Sequence, residues 1–188
     1  MKKGGISTRR RELEEKFFHE RDQELLRALR EKTASQERKK SLAEASGISD
    51  AELLEQLDEL DVNPETLAAL SLVPLIAVAW ADGKIDDKER TAVLEAAEQK
   101  GIEAEQPGHQ WLKDWLRQKP DARLKEVWKD YVAALTQSLD DPSKKALKED
   151  LLGRARAVAE AAGGLLGFGN KVSTSEQAVL DELEHALD

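Results

Sequence analysis

The chain has 188 residues with no cysteine, 36% charged and only 4% aromatic residues, which excludes thiolate metal sites, thiol catalysis and disulfides and leaves Leu, Ala and Val to build the core. Its net charge of −9 is uneven: residues 1–11 carry five positive charges and no negative ones, residues 12–40 eight of each, and residues 41–188 sixteen positive against thirty negative. So acidic a body repels a phosphate backbone, which excludes nucleic acid as the expected partner and leaves the basic tip as a solvated terminus.

Residues 8–32 hold neither Gly nor Pro and predict one long helix. Its apolar residues are Leu13, Phe17, Phe18, Leu25, Leu26 and Leu29, interrupted by the polar residues 19–24. Two adhesive patches on a charged rod predict packing against other helices, either of this chain by fold-back or of a protein partner or second copy. Phe17, Phe18, Leu25, Leu26 and Leu29 are the candidate partner-binding residues. A second helix is expected over residues 35–46, stopped by Gly47. A third is capped by Ser49 or Asp50 and carries the stripe Leu53, Leu54, Leu57 and Leu60. The segments RELEEKFFHERDQELL and LAEASGISDAELLEQL, within residues 11–60, resemble the F-type ATPase zeta-subunit inhibitor family. That resemblance implies a regulatory or inhibitory subunit that binds a larger assembly, such as a rotary ATPase, through its N-terminal helices.

Asn63-Pro64-Glu65 has the cap, the first-turn proline and the acidic residue of a helix start. The uncharged run that follows, residues 67–81, is fifteen residues long, short of the roughly 18 to 20 that span a bilayer. It reads as a buried central helix, apolar nearly all round, with Pro74 kinking it near Leu70. With no signal-like segment either, membrane insertion is not expected and the cytoplasm is the default compartment.

The run ends in Asp82-Gly83-Lys84-Ile85-Asp86-Asp87-Lys88-Glu89, which reads two ways. As structure, Gly83 closes one helix in a left-handed conformation and Asp86 caps the next, with Glu89 in its first turn. As chemistry, Asp82, Gly83, Ile85, Asp86 and Glu89 match the second half of a calcium loop, and the carboxylates of Asp82, Asp86, Asp87 and Glu89 form a candidate weak site for Ca or Mg. The first half of such a loop would place Val78 and Trp80 where oxygen ligands belong, so an ordinary EF-hand is excluded. The segment LVPLIAVAWADGKIDDKERTAVLEAA, with Ala81, Asp82, Gly83, Ile85 and Glu89 as its turn motif, resembles the tellurite-resistance TerB family. Extended over residues 63–188, the resemblance implies a bacterial, helical, mostly non-enzymatic module with a stress- or divalent-cation-related role.

Beyond the turn, residues 86–100 predict a helix stopped by Gly101, and a short helix follows with Trp111, Leu112, Trp115 and Leu116. The two tryptophans, four apart, stack on one face, chiefly as core. Lone His109 is expected at the surface. Pro120 opens a helix with Leu124, Val127, Trp128, Tyr131, Val132 and Leu135 inward, and residues 143–162 form the next. Residues 155–183 then echo residues 75–97, setting Lys171, Val172 and Ser173 beside Lys84, Ile85 and Asp86, and Glu176 beside Glu89. The repeat predicts two related helix hairpins, the second without the acidic residues of the first. Gly163, Gly164, Gly167 and Gly169 do not make a phosphate loop, lacking both a preceding strand and a Gly-Lys-Ser/Thr ending. They are expected to fold Leu165, Leu166 and Phe168 back onto the core.

His19, His109 and His185 lie far apart, and no nucleophile motif or cofactor fingerprint accompanies them, so no catalytic residue is assigned. The sequence therefore points to an all-α bundle of two pseudo-repeated hairpins around a buried central helix, over residues 63–188, with an N-terminal helical arm over residues 1–62. The expected function is that of a non-enzymatic interaction or scaffold protein of the TerB-like type.

Overall fold

The computed structural model describes residues 5–162 and 172–187, with side chains described for 20–161, except 22, and for 172–187. The regular elements among these residues are all helical: α1 (Gly5–Ser46), α2 (Ala51–Glu59), a 3-10 segment (Leu67–Leu72), α3 (Val73–Ala79), α4 (Asp87–Gln99), α5 (Pro107–Arg117), α6 (Ala122–Gln137), α7 (Asp141–Ala162) and α8 (Thr174–Ala186). The all-α bundle is as the sequence led one to expect. Among the described residues no helix is long and apolar enough to cross a membrane.

The chain divides into two compact units, residues 1–40 and 41–188. The described part of the first, residues 5–40, is helix α1 without its last turns. The expected break between residues 32 and 35 does not occur, because Thr33, Ala34 and Ser35 offer no helix breaker and the Thr33 hydroxyl donates back to the Leu29 carbonyl at 2.9 Å. Arg27 and Glu31 pair one turn apart at 2.9 Å on the exposed surface, a contact worth only a few tenths of a kcal/mol, about 0.3 to 0.5.

In the second unit the core begins earlier than residue 63. Leu42, Ile48, Leu53, Leu54, Leu57 and Val62 are all buried in the same cluster as the later helices, so residues 41–62 pack with the body and not as part of an arm. Asp50, not Ser49, caps α2, accepting from the amides of Glu52 and Leu53 at 2.9 and 3.0 Å. The helix ends through Asp61, which takes a left-handed φ of 57° where glycine is the usual choice.

The central apolar run is built differently from the single kinked helix expected of it. Asn63 organises a turn, its side chain accepting from the amides of Glu65 and Thr66 at 2.9 and 3.1 Å. The chain then winds as a 3-10 segment, and the α-helix starts only at Val73. Proline explains the change. In a continuous helix Pro74 would clash with the Leu70 carbonyl; placed in the first turn of α3 it needs no donor. The burial expectation holds: Leu75 and Ile76 are 0% and 1% exposed, each such side chain contributing about 1.5 to 3 kcal/mol. Helix α3 packs against α7, α8 and α6, and α4 lies on α7. Trp128 of α6 is wholly buried.

His109 is not at the surface. It is 4% exposed because it lies on the buried stripe of α5, three and seven residues before Leu112 and Leu116. Its first turn packs on the 3-10 segment, where a Cβ on Gly108 would meet Ala69 at 3.6 Å. Charged clasps join the helices at the rim: Lys125 and Lys129 of α6 donate to Glu182 of α8 at 2.8 and 2.7 Å, and Lys100 reaches Asp150 of α7 at 2.6 Å. Lys125 and Lys129 hold the Glu182 carboxyl below its ordinary value. The glycines at 163, 164, 167 and 169, with Leu165, Leu166 and Phe168, lie outside the described residues.

Candidate functional site

The acidic bend is a compact piece of hydrogen-bonding. After α3, Gly83 takes φ 88°, and the Asp82 carboxylate accepts from the Lys84 amide at 3.1 Å to close an Asx turn. Asp86 then caps α4, one oxygen accepting from the amides of Lys88 and Glu89, both at 2.8 Å. Glu89 reaches back to accept from the Asp86 amide at 2.8 Å, completing a capping box. Asp87 is exposed in the first turn, where the helix dipole favours a negative charge.

Helix α8 starts the same way, at Ser173 and Glu176. Ser173 accepts from the Glu176 amide at 3.2 Å and Glu176 accepts from the Ser173 amide at 2.6 Å. Glu89 and Glu176 are each 6% exposed, and the charge of Glu176 acts on Glu89. Burial raises the Glu89 carboxyl from 4.5 to about 7; the Asp86 amide opposes the rise, while the charges of Asp86, Glu176 and Asp82 add to it. A carboxylic acid poised near neutrality thus sits at the head of α4.

The candidate ligands do not form a ready cation cage. Asp82, Asp86 and Glu89 spend carboxylate oxygens on main-chain amides, and among the described residues no three Asp, Glu or His side chains are arranged to hold a metal. Trp80, which stands where a calcium loop needs an oxygen ligand, instead donates its indole N–H to the Trp115 carbonyl at 2.7 Å. Beside it Arg90 donates to the Leu116 carbonyl at 2.9 Å. The bend is thereby tied to the C-terminal end of α5, capping carbonyls that the helix leaves open. No local spacing in the sequence announces these two contacts, which span 35 and 26 residues.

Of the candidate partner-binding residues, Leu25, Leu26 and Leu29 are 56%, 54% and 60% exposed, the large hydrophobic side chains that stand open among the described residues. Phe17 and Phe18 lie outside the described side chains, as does His19. His109 is buried with no partner for Nδ1 among the described residues, and His185 is exposed with Nδ1 against the Asp181 carbonyl at 2.6 Å. Compared with protein-family models, curated proteins and solved structures, the chain finds no match in any of the three.

Proposed function

We propose that the chain is a non-enzymatic helical interaction module, TerB-like in the sense its turn motif suggests, which engages a protein partner or a second copy through α1. The observation that carries this reading is the concentration of exposed leucines: Leu25, Leu26 and Leu29 lie within five residues of one helix. Leaving them in water forgoes about 25 cal/mol for each Å² of apolar surface, and an otherwise charged helix has no local use for them. The test compares the full chain with its Leu25→Ser, Leu26→Ser, Leu29→Ser variant by light scattering and by pull-down. Self-association or partner capture that vanishes in the variant, with unchanged helical content, is the expected result. A wild type that is strictly monomeric and captures nothing in a leucine-dependent way would overturn it.

A second reading, a weak divalent-cation loop, is favoured by one observation. The charges of Asp82, Asp86 and Glu176 all press on Glu89, and a dication at the bend would offset that repulsion. Coordination there has to compete with the amide bonds of the caps, so it is weak.

A further inference from the structure

The C-terminal end of α5 and the turn into α6 border an open groove of about 390 Å³. Leu60 and the indoles of Trp111 and Trp115 give it an apolar wall, and Asp114, Asp121 and Lys119 are among its polar lining. Both tryptophans are half-buried, with ring centroids 5.6 Å apart and planes inclined at 49°. They form a creviced aromatic surface and not a stacked slab. The backbone beneath is held rigid, since Trp80 and Arg90 bind the carbonyls of Trp115 and Leu116 at 2.7 and 2.9 Å.

We infer that this groove takes an arginine side chain of a basic peptide, with the guanidinium laid on the indoles and its fork turned to Asp114 and Asp121. Two features favour a cation there. Indole faces attract one by their quadrupole. Residues 41–188 carry thirty negative charges against sixteen positive, so a basic segment is drawn to this unit. Arginine fits better than lysine because a planar fork both stacks on an aromatic face and pairs a carboxylate.

The two carboxylates have capacity for the new partner. Asp114 uses Oδ1 for Gln110 at 3.2 Å and for a loose 3.8 Å approach of exposed Arg117, and Asp121 uses Oδ1 to cap α6 through the Arg123 amide at 2.8 Å. The Oδ2 atom of each is unengaged among the described residues. Lys119 is exposed and flexible enough to swing from an incoming cation. The groove is lined by residues of the second unit alone, and neither reading depends on the other.

The test follows the indole N–H signals of the four tryptophans in the ¹⁵N-labelled full chain as the peptide acetyl-Gly-Arg-Arg-Gly-amide is added. The signals of Trp111 and Trp115 are expected to move saturably, with a dissociation constant of about 1 mM or tighter, while that of buried Trp128 stays. The same peptide with citrulline for arginine should not move them. Asp114→Asn with Asp121→Asn keeps the α6 cap and should weaken binding about tenfold, and Trp111→Phe, which preserves the fold, should weaken it severalfold. Unmoved indoles, equal binding of the citrulline peptide, or affinity unchanged in either variant would overturn the inference.

Discussion

Helices α4 and α8 begin with one device and two charge patterns. At α4 the cap is Asp86, with Asp82 and Asp87 around it; at α8 the cap is Ser173, with Thr174 and Ser175 beside it. Both boxes close, the glutamate accepting its own cap's amide at 2.8 Å in the first and 2.6 Å in the second. Capping therefore needs an oxygen and not a charge. What the acidic version adds is electrostatic: Asp86 and Asp82 load negative charge onto a glutamate that burial already disfavours as an anion.

The largest effect that can break this comparison lies in pH. Glu89 in the folded chain holds its proton up to about pH 7, against 4.5 for the ordinary group. Its contribution to stability is therefore fully present below the unfolded value and is lost as the pH climbs through the folded one. Glu89→Gln keeps the acceptor of the box and never ionises, so it should be more stable than the wild type at alkaline pH by on the order of 2 to 3 kcal/mol and should show a flatter pH profile. Denaturant titrations from about pH 4 to pH 8 check this; parallel profiles for the two proteins would place the ionisation elsewhere.

Next in size are the caps themselves. Ser173→Ala should cost about 1 kcal/mol, the ordinary price of an N-cap side chain. Asp86→Ala should cost less than that above neutral pH, because the lost cap is partly offset by relief of the charged Glu89. Thermal unfolding of the two variants at pH 8 compares them directly. Equal losses would mean that the acidic cap puts no measurable repulsion on Glu89.

Much of this was legible in the sequence, and the misses have physical reasons. Asp86 with Glu89 was readable because a capping box is a local code spanning four residues, and the sequence echo set Ser173 and Glu176 beside them without marking a second cap. The buried central run was readable from fifteen uncharged residues, yet its 3-10 start was not, because Pro74 admits two solutions, a kink or a late helix start, and packing of the rod against α7 and α8 accompanies the second. The lack of a ligand partner near His109 in sequence points to the surface, whereas its register with Leu112 and Leu116 puts it inside. That residues 41–62 join the body was hidden because a leucine stripe on α2 says that it is covered, not by what; in the fold it meets α6. The pressure of Glu176 on Glu89, 87 positions away, follows only from the way the helices are assembled.

The smallest expected effect concerns calcium or magnesium, and it separates the two helix starts most sharply. A cation drawn to Asp82, Asp86, Asp87 and Glu89 finds the carboxylates of Asp82, Asp86 and Glu89 already bound to amides, which limits its dissociation constant to about 10⁻⁴ to 10⁻³ M, the weak end for oxygen-ligand sites. At a concentration equal to that constant the fold gains only about 0.4 kcal/mol. Calorimetric titration should therefore give a shallow isotherm that disappears in Asp82→Asn, Asp86→Asn, whose amide side chains still accept the cap bonds, and that persists in Ser173→Ala, where the α8 start has no carboxylate cap to lose. Heat that survives the double asparagine variant, or none in the wild type, would remove the cation from the bend and leave its acidic residues to capping and to the titration of Glu89.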